Sequence, residues 1–555
     1  MNKRYFTCSM IKKYTLLLGL LLVFSCQNVF GQSTNSILYL SVNKNLMVVG
    51  ETIDVKLFYN HYLQDTMPVS YVYCDLVGQD GVVYAGSKLR LDKQSADFQI
   101  EIPSFLLSGN YLLRAYAPSM RNNPFLYAMS WIRIINSKTS DILAIKTDGA
   151  NALIIDALSQ SNKIKISGLA DSYNKRALID CKLLLDSNLI YPSLSISVVK
   201  KEAYLPQQIS LIRNTTYNND KQIVTSNSDA LFISGHLEAE KGSTINSLSR
   251  QRVYCSIRGS HDVFSTITDS VGRFSIKLPD MYDKHDVFIT TEKMNNNVRI
   301  LIDRDFDNQT VYKWNKDFYL TKEELDCALK TAQNLAVLQS FSPKMVKDSS
   351  VNNLRSFYGN PDEVIIINDY IDLGGLSMYF TELPGNVHLH KKDNHYEARI
   401  INPQYTQLYQ EPLIMVDYVV VNDLNEVLKM DAKKVNRIEI VRDYYFKGGA
   451  SFGGILNFIT NNNDFGGYGF SPSSISMSYD FLAVLSENNT DSISTDSKPD
   501  ARNTLLWKPN VVVKNNEVKL NFYTADSPGK YLLIVKGIDK NGQQVFYSAN
   551  FEVKK

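Results

Sequence analysis

The stretch "TIDVKLFY" at residues 52–59 alternates Ile53, Val55, Leu57 and Tyr59 with Thr52, Asp54 and Lys56. A period of two is the signature of a strand with one face buried. Downstream, "YVYCDLV" (71–77) and "GVVYAGSKLRL" (81–91) flank Gly78-Gln79-Asp80-Gly81, a hairpin signal. "SGNYLLRAYA" (108–117) and "AMSWIRIIN" (128–136) continue the series. Short strands about every 8–12 residues predict an antiparallel sandwich of about 100 residues, placed at 36–136.

The same pattern recurs along the chain. "LIIDAL" (153–158), "KIKISGLA" (163–170), "ALIDCKLLL" (177–185) and "SLSISVVKK" (193–201) predict a second small sandwich over 141–215, followed by a polar linker at 216–230. "LFISGHLEAE", "RQRVYCSIRG", "TITDSVGRFSIKLP" and "HDVFITTE" predict another over 231–296. One helix interrupts the strands, within a connector at 297–353. Thr321 and Glu324 form a capping box ahead of Leu325, Leu329, Leu335 and Leu338, and Pro343 ends the run. Residues 354–465 mix strand and helix signals, 485–502 is a polar linker, and 503–555 reads as a small C-terminal sandwich with an Asn541-Gly542 hairpin turn. The fold class is mostly β: tandem immunoglobulin-like sandwiches, one α+β domain and one notable helix.

Several of these segments resemble known modules. "VVGETIDVKLFY", "SYVYCDLVGQDGVV" and "IPSFLLSGNYLLRAYAPSMRN" resemble the macroglobulin-like domain of exported Bacteroidota proteins. The thioester CGEQ motif of macroglobulin protease traps is absent, so covalent trapping is not implied. Thr268-Asp269-Ser270-Val271-Gly272-Arg273-Phe274 resembles the carboxypeptidase-regulatory-like sandwich, a structural module without a peptidase site. Residues 411–464 resemble the plug domain of TonB-dependent outer-membrane receptors through Pro412-Leu413, Asp417, Ile438-Glu439-Ile440 and Gly453-Gly454-Ile455-Leu456. Tyr418 stands where that pattern has Gly. Residues 462–555 are too few for the barrel of such a receptor, whose 22 strands need roughly 200 residues. The resemblance therefore implies a plug-like domain without its barrel.

Composition narrows the function. Of 555 residues, 44% are hydrophobic and 21% charged, which excludes a disordered chain and a bundle of membrane helices. The net charge of +2 is more than accounted for by Lys3, Arg4, Lys12 and Lys13, so no concentrated basic face is expected and nucleic acid is not a partner. The apolar run "YTLLLGLLLVF" (14–24) after Lys12-Lys13 has the layout of a secretory signal and is too short to span a bilayer. Two ends for a 1–31 signal peptide are open: cleavage before Gln32, after Val29 and Gly31, or lipidation at Cys26 in an imperfect lipobox. The protein is expected in the periplasm or outer membrane, or at the cell surface. Cys74, Cys181, Cys255 and Cys327 have no CxxC spacing and fall in different segments, so buried free thiols are expected.

Three constellations could carry chemistry. Gly449-Ala450-Ser451-Phe452-Gly453 matches the nucleophile elbow, but a β-branched strand follows it and the last His is His395, upstream. Asp303, Asp305, Asp307 and Asn308 resemble the start of a calcium loop without its Gly and Glu. His388, His390 and His395 could share a hairpin face beside Lys391 and Lys392. None of these supports a catalytic residue, a metal site or a cofactor. The reading is a non-enzymatic envelope protein, an accessory or docking component of an outer-membrane complex. Its alternatives are an adhesin or spacer and a noncovalent protease-binding protein. The apolar plug-like strands must be covered, either by neighbouring sandwiches or by a partner in trans, an outer-membrane β-barrel or another envelope protein. Tyr418, Tyr444, Tyr445 and Phe452 are the candidate docking anchors.

Overall fold

The computed structural model describes residues 38–59, 69–91, 95–139, 159–186, 193–205, 216–217, 230–239, 248–311, 318–341, 355–383, 385–392, 395–402, 410–484, 498–511, 513–539 and 544–555. The leader, Cys26, "LIIDAL" and the Asn541-Gly542 turn lie outside them. Among the described residues the chain is mostly β, with three sandwiches and one α+β domain.

The first sandwich follows the sequence closely. One sheet orders Leu38–Val42, Thr52–Tyr59 and Ser95–Glu101; the other orders Leu46–Val48, Ala128–Ile135, Gly109–Tyr116, Tyr71–Val77 and Val83–Arg90. Ile53, Val55 and Leu57 are fully buried, as their period requires. Cys74 lies between the sheets with Val72 and Leu76. Cys181 and Cys255 are likewise buried and unbonded, and Cys327 is half-buried. Burial pushes the Cys255 thiol up to about 12, which makes it a poor nucleophile.

The next two domains correct the linear reading. Segments 141–215 and 503–555 are not two small sandwiches but two halves of one. Leu178–Leu185 pairs antiparallel with Glu517–Tyr523, and Ser193–Lys200 lies between Thr504–Lys508 and Gly529–Ile538. The combined core joins Ile179, Leu183, Ile196 and Val198 to Leu505, Leu520, Leu533 and Phe551. The third sandwich is also split. Its four-stranded sheet orders Val263–Ile267, Arg252–Ile257, Lys284–Thr291 and Ser474–Asp480, so its last strand arrives after the α+β domain. The α+β domain is thus inserted in the third sandwich, and the third sandwich in the second. The physical reason is burial. Neither half of the second sandwich can cover its own apolar face, and each supplies what the other lacks.

The predicted helix forms at Lys322–Phe341. The Thr321 N–H donates to Glu324 Oε2 (2.9 Å), and the Glu324 N–H to Thr321 Oγ1 (3.2 Å). Its contact face differs from the expected leucine stripe. Leu325 and Leu335 pack on Leu46, Val48 and Ile135, but the buried positions are Ala328, Thr331 and Asn334, and Leu329 is exposed. Small side chains let the helix sit close to the first sandwich. Asn334 reaches the second, donating to Asn503 Oδ1 (3.0 Å) and Ser527 Oγ (3.2 Å).

Lys536, on the central strand of the second sandwich, provides a pH probe. Its Nζ lies 4.8 Å from the Tyr204 ring centre, and burial of the ammonium pushes it from 10.5 down to about 8. A lowered lysine means the unfolded chain holds the extra proton between those values, so stability rises with pH across that window. Lys536→Met is expected to flatten this rise and to stabilise the protein at pH 7 by up to about 3 kcal/mol. Urea midpoints at pH 7, 8, 9 and 10 check both.

Candidate functional site: the α+β domain and its contacts

The α+β domain is built on a five-stranded sheet ordered Glu363–Ile366, Val435–Val441, Ile455–Thr460, Leu413–Val416 and Val419–Val420. Leu413–Val416 runs parallel to Ile455–Thr460, and the other pairs are antiparallel. One face packs under the helices Leu376–Glu382 and Leu424–Leu428 and the Val387–Ile400 hairpin, around Val416, Ile438, Leu456 and Phe458. Asp423 caps the second helix by accepting from the Asn425 and Glu426 N–H groups.

The other face meets the third sandwich. Leu413, Met415, Val420, Phe452 and Ile455 form one cluster with Tyr254 and Val263 of that sandwich. The Val420 N–H donates to Ser256 Oγ (3.1 Å), Arg258 donates to the Asn463 carbonyl (2.7 Å), and Lys447 pairs with Asp262 (2.5 Å). The apolar strands of this face are therefore covered within the chain.

This placement corrects the anchor assignment. Phe452 is buried against Tyr254, ring centres 6.0 Å apart. Tyr418 stacks on His261 of the third sandwich at 3.8 Å. Tyr445 is half-buried, and its hydroxyl donates to the Phe357 carbonyl (2.6 Å). Tyr444 is half-buried. Phe452, Tyr418 and Tyr445 thus serve joints inside the chain. An aromatic residue near a turn reads the same in sequence whether it is covered by its own chain or by another.

The Asp417-Tyr418 turn keeps its geometry without Gly. Both residues are left-handed, with φ of 49° and 65°. The Asp417 carboxylate holds the turn by accepting from the Thr460 N–H (2.7 Å), Thr460 Oγ1 (2.7 Å) and the Phe465 N–H (2.9 Å). The His261 stack offsets the strain at Tyr418, which is of order 1–3 kcal/mol. Gly453 and Gly454 are required by close approach. A Cβ at Gly453 would lie 2.0 Å from the Gln410 carbonyl oxygen, and one at Gly454 would lie 2.5 Å from that of Val441. These glycines let strands cross. Ser451 sits on the Ala450–Phe452 strand, accepts from Gln410 (3.0 Å), and is followed by the Ile455–Thr460 strand rather than a helix.

The remaining constellations are dispersed. His388 and His390 are exposed on one strand of their hairpin, and His395 meets Asn425. The three aspartates of 303–307 serve different partners. Asp303 is exposed, Asp305 pairs with Lys88 (2.5 Å), and Asp307 faces Arg114 (3.3 Å). Among the described residues no group of three or more His, Cys, Asp or Glu could hold a metal ion. No helix among them is long and apolar enough to cross a membrane.

What sequence reasoning missed is the role of 303–310 as a clamp onto the first sandwich. Arg114 makes a two-pronged pair with Asp75 (2.7 Å each) and donates to the Asp307 carbonyl (2.7 Å). Tyr116 donates to Asp75 and accepts from the Asp307 N–H, both at 2.7 Å, and Tyr127 donates to Asp307 (3.1 Å). Phe306 lies over Gly86, where a Cβ would come within 2.6 Å of its ring. The signal for this clamp was two unexplained charges, Asp75 and Arg114, on otherwise apolar strands.

Comparison with protein-family models gives no match, and comparison with curated proteins gives none. Among solved structures the chain aligns with a Salmonella alpha-2-macroglobulin mutant over 94% of its own length and 24% of that chain, at 8% identity and TM-score 0.16. It also aligns with an Escherichia coli alpha-2-macroglobulin activated by porcine elastase, over 93% and 30%, at 9% identity and TM-score 0.15. A tetra-tandem repeat from the extending region of a large adhesion protein is covered over 99% of its length and 93% of this chain, at 9% identity and TM-score 0.13. The chain spans about a quarter of the length of the first of these. At such scores and identities, neither the arrangement nor the role of those proteins carries over to this one.

Proposed function

We propose that the protein is an exported, non-enzymatic component of the cell envelope that docks an outer-membrane β-barrel or another envelope protein through its α+β domain. The observation that carries this reading is the outer edge of the α+β sheet. Glu363–Ile366 is an edge strand, and Val364 and Ile366 are exposed on it. Tyr370 and Ile371 follow directly, Ile371 with 82% of its surface in water. Natural edge strands are normally short, charged or covered; this one is short, with four residues, but carries exposed apolar side chains at Val364 and Ile366. An apolar edge left open suits the addition of a partner strand. The docking side therefore moves from the turn aromatics to residues 364–371. Export rests on the leader, with maturation before Gln32 or lipidation at Cys26.

The test places a photo-cross-linking residue at Val364, at Ile371 or at Lys391 on the hairpin of the opposite face, in cells that export the protein. A discrete cross-link to one outer-membrane protein from 364 and 371, absent from 391, is the expected result. Equal labelling from all three positions, or none from any, rejects the docking side. A second reading, a surface spacer or adhesin, is favoured by the joints between the sandwiches: the buried Arg114–Asp307 pair ties the first to the segment after the third, and hydrogen bonds such as Ser41 to Ser195 tie it to the second. It requires that protease added to intact cells cleave the chain, which a periplasmic component would escape.

A further inference from the structure

The first and third sandwiches enclose a cleft of about 830 Å³, within the usual size of ligand sites. Its floor is the outward face of the three-stranded sheet of the third sandwich. Strand alternation puts Phe232, Ser234 and His236 there, with Ser275 opposite Ser234 and Arg273 opposite His236. Tyr73 and Arg121 of the first sandwich form one wall and residues 303–309 the other.

The charges in this cleft divide into committed and uncommitted groups. Asp305 is held by Lys88 and Asp307 by Arg114. Asp269 accepts from the N–H groups of Val271 and Arg273 in its own turn. Asp303 lies 3.7 Å from His236. Arg121, Arg273 and Arg304 come from three separate segments, and among the described residues none is in an ion pair with a carboxylate. Arg121 lies 5.1 Å from the Tyr73 ring centre. Its Nε is buried with no hydrogen-bond partner, and so is Gln309 Oε1 on the other wall. The rings of Tyr73, Phe232 and Phe306 also line the cleft, and Ile267 and Val271, which line it too, are exposed.

We propose that this cleft binds an extended acidic peptide. Its carboxylates meet Arg121, Arg273 and Arg304. Its apolar side chains lie on the rings of Tyr73, Phe232 and Phe306. A bare anion would use the arginines alone and leave the rings idle. An extended acidic peptide uses both sets.

The experiment is fluorescence anisotropy with the full chain and a fluorescein-labelled peptide, Asp-Phe-Glu-Leu-Asp. Its Lys-Phe-Lys-Leu-Lys counterpart and a labelled trigalacturonate serve as the other arms. Saturable binding of the acidic peptide below about 1 mM is expected, weakening about tenfold in Arg121→Gln and in Arg273→Gln. Arg273 is exposed on its strand, so Arg273→Gln should melt as the parent does, which keeps the test valid if Arg121→Gln is unstable. No saturation by the acidic peptide overturns the proposal. So does equal affinity in Arg273→Gln, or equal binding of the basic peptide. Arginine-dependent binding of trigalacturonate without binding of the peptide also overturns it, assigning the cleft to acidic glycans.

Discussion

A chain ending at residue 484 is expected to lose the second sandwich entirely while keeping the first. The truncation removes Thr504–Lys508, Glu517–Tyr523, Gly529–Ile538 and Gln544–Val553. Ser193–Lys200 then has no neighbour on either side, because both of its partners are among the lost strands. Ile179, Leu183, Ile196 and Val198 would exchange a buried core for water, at about 1.5–3 kcal/mol for each large side chain. Over these four side chains the loss is about 6–12 kcal/mol, comparable to the whole stability of an ordinary domain, about 5–15 kcal/mol. Hydrogen exchange should show residues 159–205 unprotected and residues 95–135 protected. Supplying residues 485–555 as a separate chain should restore protection. If 159–205 stays protected in the truncated chain, the split domain is wrong.

Arg114→Met is expected to lower the unfolding free energy by about 3–5 kcal/mol, the loss seen when one partner of a buried ion pair is removed. Arg114 and Asp75 have no exposed side-chain surface and Asp307 retains 1%. The substitution leaves two carboxylates facing an apolar methionine. Burial already pushes the Asp75 carboxyl up, and Arg114 is the chief influence holding it down. Without Arg114 its folded value moves further above the unfolded one. A raised carboxyl contributes instability that grows as pH rises through the window between the two values, so the loss should be larger at pH 8 than at pH 5. Urea unfolding at both pH values checks the size and the sign. Arg176→Ala is the control. Its pair with Asp526 is more than one-third exposed on both sides, and about 1 kcal/mol or less is expected.

The clamp also bears on the cleft, because Asp305, Phe306 and Asp307 position the wall that carries Gln309. Arg114→Met should therefore loosen this wall and weaken peptide binding, although Arg114 does not line the cleft. The docking edge at 364–371 belongs to the α+β domain and should be indifferent to that change.

Local chemistry was legible in the sequence because it is local. The alternation of Ile53, Val55 and Leu57 fixed a strand and its buried face. Gly78-Gln79-Asp80-Gly81 fixed a hairpin, and its Gly78 N–H does close the turn onto the Val82 carbonyl (3.0 Å). Thr321 and Glu324 fixed the start of the helix. Each of these depends on groups a few residues apart, whose preferences survive in any context. The pairing of Leu178–Leu185 with Glu517–Tyr523 has no such signature. Both strands alternate in burial, and so do others here, such as Ser95–Glu101 and Arg273–Leu278, so period alone cannot say which joins which. Only the packing of whole faces distinguishes the partners, and that is a property of the assembled chain. The same holds for Phe452 and Tyr418, whose aromatic character was plain while their cover, Tyr254 and His261, lies more than 150 residues away. The sequence by itself determined the elements and the mostly β class. The tertiary structure decided the nesting of the domains, the clamp at 303–310 and which apolar surface remains open, because burial is settled by neighbours that the chain brings together only when it folds.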